Sequence, residues 1–294
     1  MTDLSARLDS EKPVILDGAM GTQLLMRGID VGLPLWSAAI LESSSGIVEE
    51  IHAEYVAVGA EVLTANTFRT TTRTFLKTYT DKTVASKRAR SACRAAVTAT
   101  QRSAGRDCFV AGSMAPLEDC YLPALFPGEK TAQREFRELG DWLMEDGVDL
   151  LLIETMGRMD EARSALRAVS SHTIDKWASF ILRDNRSLLD GTDFREASIM
   201  AVEEGASAVL VNCSRLMTAV EAIDVAVEAT AFPVGLYPNL GKSMPSTDGT
   251  IESFFSLAEF SDAMSLALSK GARIVGSCCG SGPEHTAALK NLIP

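Results

Sequence analysis

Eight short apolar or β-branched segments recur along the chain, and most of them precede a longer stretch with helical periodicity. Strict strand–helix alternation gives parallel strands with crossover helices, and eight such units close into a barrel more readily than they spread into an open sheet. The sequence therefore predicts an α/β fold of the (β/α)8 TIM-barrel type. The predicted strands are VILDGAM from Val14, VLTANTF from Val62, FVAGSM from Phe109, LLLIET from Leu150, WASFIL from Trp177, AVLVNCS from Ala208, PVGLYPN from Pro233 and RIVGSCC from Arg273.

We expect residues 1–294 to form this barrel as one domain, because no linker, low-complexity stretch or shift in composition marks a second one. The glycine spacing of DGAMGT, after the first strand, does not match the dinucleotide-binding fingerprint of a Rossmann fold. The longest predicted loops, 21–44, 115–130 and 240–251, follow the carboxyl ends of strands, which form the catalytic face of such barrels.

Composition narrows the class of protein. A formal net charge of -11 disfavours binding to nucleic acid. The amino-terminal segment lacks the apolar stretch of a signal peptide, and no run of eighteen apolar residues predicts a membrane span. We therefore expect a cytoplasmic protein, in which six cysteines serve as thiols or metal ligands rather than as disulfides.

The carboxyl ends of the predicted strands carry many residues with chemical potential, and catalytic groups in barrels come from these positions. Three of them are cysteines, and three thiolates with room for a fourth ligand are a good site for catalytic zinc. The alternative is that free cysteines pack as small hydrophobes, which we prefer for Cys93, Cys108 and Cys120. Glycines on both sides of the late cysteine pair favour a metal-binding loop. The strand-end residues are Asp17, Asn66, Thr67, Glu154, Thr155, Asn212, Cys213, Asn239, Cys278 and Cys279.

Several motifs together resemble the homocysteine S-methyltransferase family, which includes enzymes using betaine or S-methylmethionine and the homocysteine domain of cobalamin-dependent methionine synthase. The resemblance spans nearly the whole chain, from about residue 13 to 290. Its most specific part is a lone Asn-Cys pair ahead of a late Gly-x-Cys-Cys-Gly. The motifs are ILDGAMGTQL at Ile15, ANTFRT at Ala65, ET at Glu154, VNCS at Val211, YPNLG at Tyr237 and GSCCGSGPEH at Gly276.

The resemblance implies specific roles for residues of this chain. It implies that Cys213, Cys278 and Cys279 bind Zn²⁺ and act through it, with the substrate sulfur taking the open coordination position. It also implies that Asp17 and Glu154 receive the ammonium group of homocysteine.

Backbone N–H groups of the glycine turn after the first strand are expected to take the carboxylate of homocysteine. They belong to Gly18, Met20 and Gly21. From the residues alone, Asp17 is equally well explained as a turn former and Glu154 as a rim ion pair.

Three further residues are weaker candidates for substrate contacts. Thr67 and Asn212 end predicted strands, where asparagines also commonly satisfy loop backbone. Trp36 lies in LWSA, a segment similar to the S-methylmethionine-using branch, and its ring could face a sulfonium through cation–π attraction or pack against a helix. Arg69 stands where the betaine enzymes have a tyrosine, which leaves the donor open. No histidine falls at a strand end; we expect His52 in an outer helix and His285 at a helix start.

The expected activity is transfer of a methyl group from an onium donor, with S-methylmethionine favoured, to homocysteine, which forms methionine. Alternative donors are betaine, dimethylsulfoniopropionate or a corrinoid protein, and another thiol or a selenol stays open as acceptor. A phosphate-binding aldolase or isomerase is the rival enzyme, because GSG at Gly280 precedes a helix. A zinc-stabilised binding protein is the rival outside catalysis. The expected partners are small molecules, with neither nucleic acid nor membrane, and an oligomer is open.

Overall fold

The computed structural model describes residues 4–10, 12–106, 108–242 and 254–293. These residues form ten strands: β1 Val14–Ile15, β2 Val62–Ala65, β3 Phe109–Met114, β4 Leu150–Met156, β5 Asp175–Phe180, β6 Leu182–Asp184, β7 Ser187–Leu188, β8 Ala208–Arg215, β9 Val234–Asn239 and β10 Ile274–Val275.

Helices alternate with these strands. They are α1 Leu4–Asp9, α2 Gly21–Met26, α3 Gly46–Ala57, α4 Thr72–Leu76, α5 Lys82–Ala104, α6 Glu129–Asp146, α7 Met159–Ala168, α8 Phe194–Glu203, α9 Leu216–Ala229, α10 Leu257–Ser269 and α11 Pro283–Leu292, with short 3₁₀ helices at Trp36–Glu42 and Pro123–Leu125.

Eight of the strands form one parallel sheet in the order β1-β10-β9-β8-β5-β4-β3-β2. A parallel bridge between Leu16 and Val62 joins the two ends of the sheet. The Asp17 N–H donates to the Val62 carbonyl at 2.9 Å across the same seam. The predicted (β/α)8 barrel is thus confirmed.

Local sequence explains several helix ends. The Asp81 side chain caps α5 by accepting from the Val84 N–H at 2.9 Å, and Ser256 starts α10 in a reciprocal capping box with Glu259. Such caps satisfy N–H groups that have no partner inside the helix. Gly147 ends α6 in the left-handed conformation, with φ 79°, where a side chain would be strained.

Two apolar layers hold the barrel. Leu150 and Leu152 point into its interior, where they meet Trp177, which is fully buried. The intervening Leu151 packs outward against helices, as the two-residue period of a strand requires. Leu4 of α1 joins the interior cluster. The amino-terminal end of the barrel is therefore covered, and the opposite end is left for a site.

Some predicted boundaries were wrong. The strands β1 and β10 are only two residues long, because the chain leaves the sheet to form the rim soon after it enters. The segment 21–44, predicted as loop, contains α2 and the 3₁₀ helix Trp36–Glu42, and the hairpin of β6 with β7 was not predicted. Most of the predicted loop 240–251 lies outside the described residues.

Among the described helices, not one combines the length and the apolar character that crossing a bilayer requires.

Candidate functional site

A cavity of about 340 Å³ opens at the carboxyl ends of the barrel strands. Exposed Leu33 and Leu122 stand at its mouth, while Cys213 and Glu154 lie at its buried end. Of the predicted site residues, those that line this cavity are Asp17, Gly18, Met20, Gly21, Trp36, Asn66, Glu154, Cys213, Cys278 and Cys279.

The three predicted cysteine ligands come together although Cys213 lies in β8 and the other two follow β10. The Cys213 sulfur lies 3.0 Å from that of Cys278, which in turn lies 4.0 Å from that of Cys279. Hydrogen bonding to the other two thiols, together with burial, raises the pKa of Cys213, while hydrogen bonds from both neighbours lower the pKa of Cys279. The cluster can therefore hold one thiolate easily, and it resists losing further protons.

The Cys213 thiol interacts with both Cys278 and Cys279, so the three sulfurs form one cluster. Within residues 4–242 and 254–293, as far as they are described, no group of three or more His, Cys, Asp or Glu side chains forms a ready-made metal site. The arrangement is that of neighbouring thiols that share protons.

Two asparagines fix the cysteines from outside the cavity. The Asn239 amide donates to the Cys213 carbonyl at 2.9 Å and its oxygen accepts from the Cys279 N–H at 3.2 Å, so one side chain ties β9 to both cysteine segments. The Asn212 amide lies 3.4 Å from the Cys213 sulfur and 3.2 Å from Glu154. Asn212, a predicted substrate contact, is not among the residues that line the cavity.

Glu154 is a buried carboxyl held by three side chains. Its Oε1 accepts a short hydrogen bond from Ser113, and its Oε2 accepts from Asn212 and, at 3.1 Å, from the Tyr237 hydroxyl. Burial raises the pKa of Glu154 to about 7, an effect that the Ser113 and Tyr237 hydrogen bonds partly offset. A cationic ligand would be well placed to draw this group into its ionised form.

Asp17 has a partner that the sequence did not reveal. Its Oδ2 accepts from the Thr64 N–H at 2.9 Å and lies 3.4 Å from His52 Nδ1, without hydrogen-bond geometry. His52 is fully buried in α3 and its other nitrogen lies 3.1 Å from the Thr100 hydroxyl. A histidine on the buried face of the helix, between Ile51 and Tyr55, was the available signal.

The glycine turn after β1 is shaped by tight contacts. A Cβ on Gly18 would lie 2.7 Å from the Tyr55 hydroxyl, and one on Gly21 would lie 2.5 Å from the Trp36 ring nitrogen. The Ala19 N–H donates to the Ser281 hydroxyl at 3.1 Å. Glycine is therefore required at both positions for the chain to pass so close to these side chains.

Backbone strain is concentrated around the cavity. Among the described residues, the non-glycine residues with positive φ are Trp36 at 50°, Thr155 at 59° and Cys213 at 50°. Trp36 and Cys213 line the cavity, and Thr155 follows Glu154 with its hydroxyl 3.7 Å from the Cys213 sulfur. Such conformations cost free energy and concentrate at functional sites.

The segment that carries Trp36 is fixed by Asn66. The Ser37 hydroxyl donates to the Asn66 side-chain oxygen at 2.6 Å, and the Asn66 amide donates to the Ser37 carbonyl at 2.9 Å. Thr67, predicted to contact substrate, is fully buried and does not line the cavity, because its hydroxyl donates to the Ser113 carbonyl at 2.8 Å.

The loop after β3 is held by a buried acid of α7. Glu161 is 3% exposed, and its carboxyl accepts from the Leu117 N–H at 3.0 Å. Burial raises the pKa of Glu161 to about 7, although the Leu117 hydrogen bond and the charge of Arg158 oppose this. Ionisation of Glu161 at alkaline pH therefore weakens the folded state.

Replacing Glu161 by glutamine should stabilise the protein at pH 8 and leave its stability nearly unchanged at pH 5. Because the pKa of Glu161 is raised from 4.5 to about 7 on folding, stability falls as pH rises between these two values, and glutamine has no proton to lose. We expect a gain of about 1–3 kcal/mol at pH 8, measured from urea unfolding at both pH values. An equal change at pH 5 and pH 8 would contradict it.

A barrel whose mouth carries three thiols and two buried carboxyls defines an enzyme, and comparison with known proteins gives its class. The family model for homocysteine S-methyltransferase matches residues 14–293. The chain belongs to the homocysteine S-methyltransferase family and is a methyltransferase.

Individual relatives cover nearly the whole chain. A homocysteine S-methyltransferase of Escherichia coli K12 is 29% identical over 303 residues, covering 98% of this chain and 97% of its own. A selenocysteine methyltransferase of Astragalus bisulcatus is 25% identical over 314 residues, covering 96% and 93%. The crystal structure of the Escherichia coli homocysteine methyltransferase MmuM in its metallated form superposes with a TM-score of 0.84 at 26% identity, covering 98% and 99%.

Proposed function

We propose that this enzyme transfers a methyl group from an onium donor, with S-methylmethionine favoured, to the thiol of homocysteine, and that it uses zinc held by Cys213, Cys278 and Cys279. The observation that carries the proposal is the meeting of these three thiols with the carboxyl groups of Asp17 and Glu154 in one cavity. Six free cysteines suit a reducing compartment, and we propose a cytoplasmic location.

The thiol separations support a zinc site. Tetrahedral zinc with Zn–S distances of about 2.3 Å separates its ligand sulfurs by about 3.8 Å. The observed separations of 3.0 and 4.0 Å lie on either side of that value. Thiolates are also the ligand type that zinc prefers, and Asn239 and Asn212 already orient the cysteines from behind.

Bound zinc would supply an open coordination position at which a substrate thiol stays deprotonated at neutral pH. This matters because a free thiol with a pKa near 8.5 is only about 3% ionised at pH 7. The methyl carbon of the donor would then be attacked in line by the sulfur of the acceptor, and the neutral donor residue would leave. The negative charge of the acceptor sulfur and the positive charge of the donor cancel in this step, so a cavity that excludes water favours it.

The acceptor's amino-acid group has candidate partners on the protein. Asp17 and Glu154 supply carboxylates for its ammonium group. The amides of Asp17 and Ala19 already donate within the protein. The N–H groups of Gly18, Met20 and Gly21 therefore remain as the candidate partners of its carboxylate, as the resemblance implies.

The donor's cationic centre is proposed to lie against aromatic rings. Trp36, Phe68 and Tyr121 all line the cavity, and a sulfonium near such faces gains cation–π attraction, strongest for tryptophan. Trp36 is held in one place by its contact with Gly21 and by its strained backbone. These features support an onium donor over a neutral one.

Contacts in the cysteine loop argue against the rival phosphate site. The Gly280 N–H donates to the Thr22 hydroxyl, the Ser281 N–H to the Cys278 carbonyl and the Gly282 N–H to His285 Nδ1. A phosphate-binding turn needs these amides free. No lysine lines the cavity in the described part of the chain, so a Schiff-base aldolase has no nucleophile there.

A donor panel tests the proposal. Purified enzyme, homocysteine and one of S-methylmethionine, betaine, dimethylsulfoniopropionate, S-adenosylmethionine or methylcobalamin are incubated, and methionine is measured. We expect S-methylmethionine to give the highest kcat/KM. Selenocysteine, offered as a second acceptor, tests the selenol alternative, which the selenocysteine methyltransferase relative supports. Methionine formation from none of the donors would overturn the proposal.

A further inference from the structure

We propose that Arg69 and Asp119 form a receptor for the amino-acid group of the methyl donor, with Arg69 binding its carboxylate and Asp119 its ammonium group. The inference rests on the proposed function and deepens it, because it defines the donor as an α-amino acid sulfonium and names the residues that select it. Both side chains line the cavity.

Arg69 is a buried cation without an acidic partner. It is 8% exposed, and one guanidinium nitrogen donates to the Glu118 carbonyl at 2.8 Å. Its charge also lies over the Phe68 ring, 5.4 Å from the centroid. Among the described residues, no carboxylate lies within the 4.0 Å of an ion pair to Arg69. A buried guanidinium left in this state is costly, and a ligand carboxylate would relieve that cost.

The neighbouring acid cannot serve Arg69, because other cations already hold it. The Glu118 carboxylate binds Arg73 at 3.0 Å and Lys77 at 2.5 Å. Arg73 is further paired with Glu135 at 2.7 Å. Arg73 and Lys77 are therefore neutralised within the protein, whereas Arg69 lines the cavity without such a partner among the described residues.

Asp119 supplies the opposite charge in the same cavity. Its carboxylate accepts from the Tyr121 N–H at 2.9 Å and has no cationic partner in the described residues. Since Arg69 and Asp119 form no ion pair with each other, they are separate charges of opposite sign. A zwitterionic amino-acid group matches such a pair, whereas a carboxylate without an ammonium group would use only half of it.

Position in the barrel assigns this receptor to the donor rather than the acceptor. Glu154 lies within β4 and Asp17 directly follows the Leu16 bridge that closes the sheet, so both are at the buried end of the cavity. Arg69 and Asp119 lie four and five residues beyond Ala65 and Met114, the last residues of β2 and β3. In the ring of strands β2 lies opposite β8, which carries Cys213. A donor held there would extend across the cavity toward the thiols.

The test compares three sulfonium compounds as donors and as competing ligands. S-methylmethionine has both a carboxylate and an ammonium group. The carboxamide of S-methylmethionine lacks the carboxylate, and dimethylsulfoniopropionate lacks the ammonium group. We expect Arg69→Gln to raise KM, or the inhibition constant, about 30- to 100-fold for the two carboxylates and to leave the carboxamide within about threefold. Asp119→Asn should raise the same constants about tenfold for S-methylmethionine and its carboxamide and leave that for dimethylsulfoniopropionate unchanged.

The KM for homocysteine should stay unchanged in both variants. Lys77→Gln is the matched control, because it removes a positive charge from the same region without touching the cavity. Equal losses for all three compounds, or a raised KM for homocysteine, would overturn the receptor.

A wild-type enzyme that makes no methionine from any donor would show, separately, that the proposed function is wrong. Calorimetric binding then decides the role of Arg69 by itself. Binding of S-methylmethionine that is tighter than that of its carboxamide, and that loses this advantage in Arg69→Gln, supports the receptor. Equal affinity for the two compounds in the wild-type protein overturns it.

Discussion

Replacing Cys279 by serine should remove zinc from the purified protein and lower kcat/KM for methyl transfer at least about a thousandfold. A serine hydroxyl does not ionise near neutral pH, so two thiolates would be left to hold the metal. The acceptor thiol would then lose both its anchor and the means of staying deprotonated. The backbone N–H of Cys279, not its side chain, donates to the Asn239 side-chain oxygen. The substitution therefore leaves this link to β9 intact.

Metal analysis and kinetics together check this expectation. The wild-type protein should contain about one zinc per chain, lose it with its activity on treatment with a chelator, and recover both when zinc is restored. Cys93→Ala is the matched control, because Cys93 is a buried cysteine of α5 that does not line the cavity. A metal-free protein that is fully active, or a Cys279→Ser variant that retains zinc, would refute the proposed mechanism.

Replacing Glu154 by glutamine should lower kcat/KM for homocysteine about 100-fold at pH 8 and flatten its pH profile between pH 6 and 8. Burial raises the pKa of Glu154 to about 7, so in the wild-type enzyme the carboxylate is lost as pH falls through that value. A neutral carboxyl no longer pairs with an ammonium group. Wild-type kcat/KM should therefore fall about tenfold per pH unit below pH 7.

The difference between the two enzymes should shrink to a few-fold near pH 5.5, since few wild-type molecules are then ionised at Glu154. Glu161→Gln serves as the control, because burial raises the pKa of Glu161 to about 7 as well but Glu161 does not line the cavity. In that variant, kcat/KM should still fall as pH drops below 7, which is the acidic limb of the profile. An acidic limb that persists unchanged in Glu154→Gln would assign the titration to another group.

Much of the site could be predicted because it depends on strand ends. Parallel strands of a closed barrel all place their carboxyl ends at one rim. Cys213 and Cys278, far apart in the chain, were therefore expected to meet, and their sulfurs lie 3.0 Å apart. Asp17 and Glu154 reach the same cavity for the same reason.

Other parts were missed because they depend on which partner a side chain finds after folding. His52 was expected only in an outer helix, yet it lies 3.4 Å from Asp17, since the buried face of α3 turns it inward. Thr67 ends a predicted strand but bonds to the Ser113 carbonyl in the wall. The β6–β7 hairpin was overlooked because its strands are too short for a two-residue apolar pattern to appear.

Periodicity, turn residues and motif order are local properties, so the amino-acid sequence by itself determined the barrel, the family and the residues at its rim. Tertiary structure alone decided which of these residues face the cavity and which charges stay unpaired there. Arg69 shows the difference, because the role we propose for it follows from Arg73 and Lys77 having paired with the carboxylate of Glu118. Such competition among side chains is settled by distances between segments remote in sequence and by the cost of burying a charge.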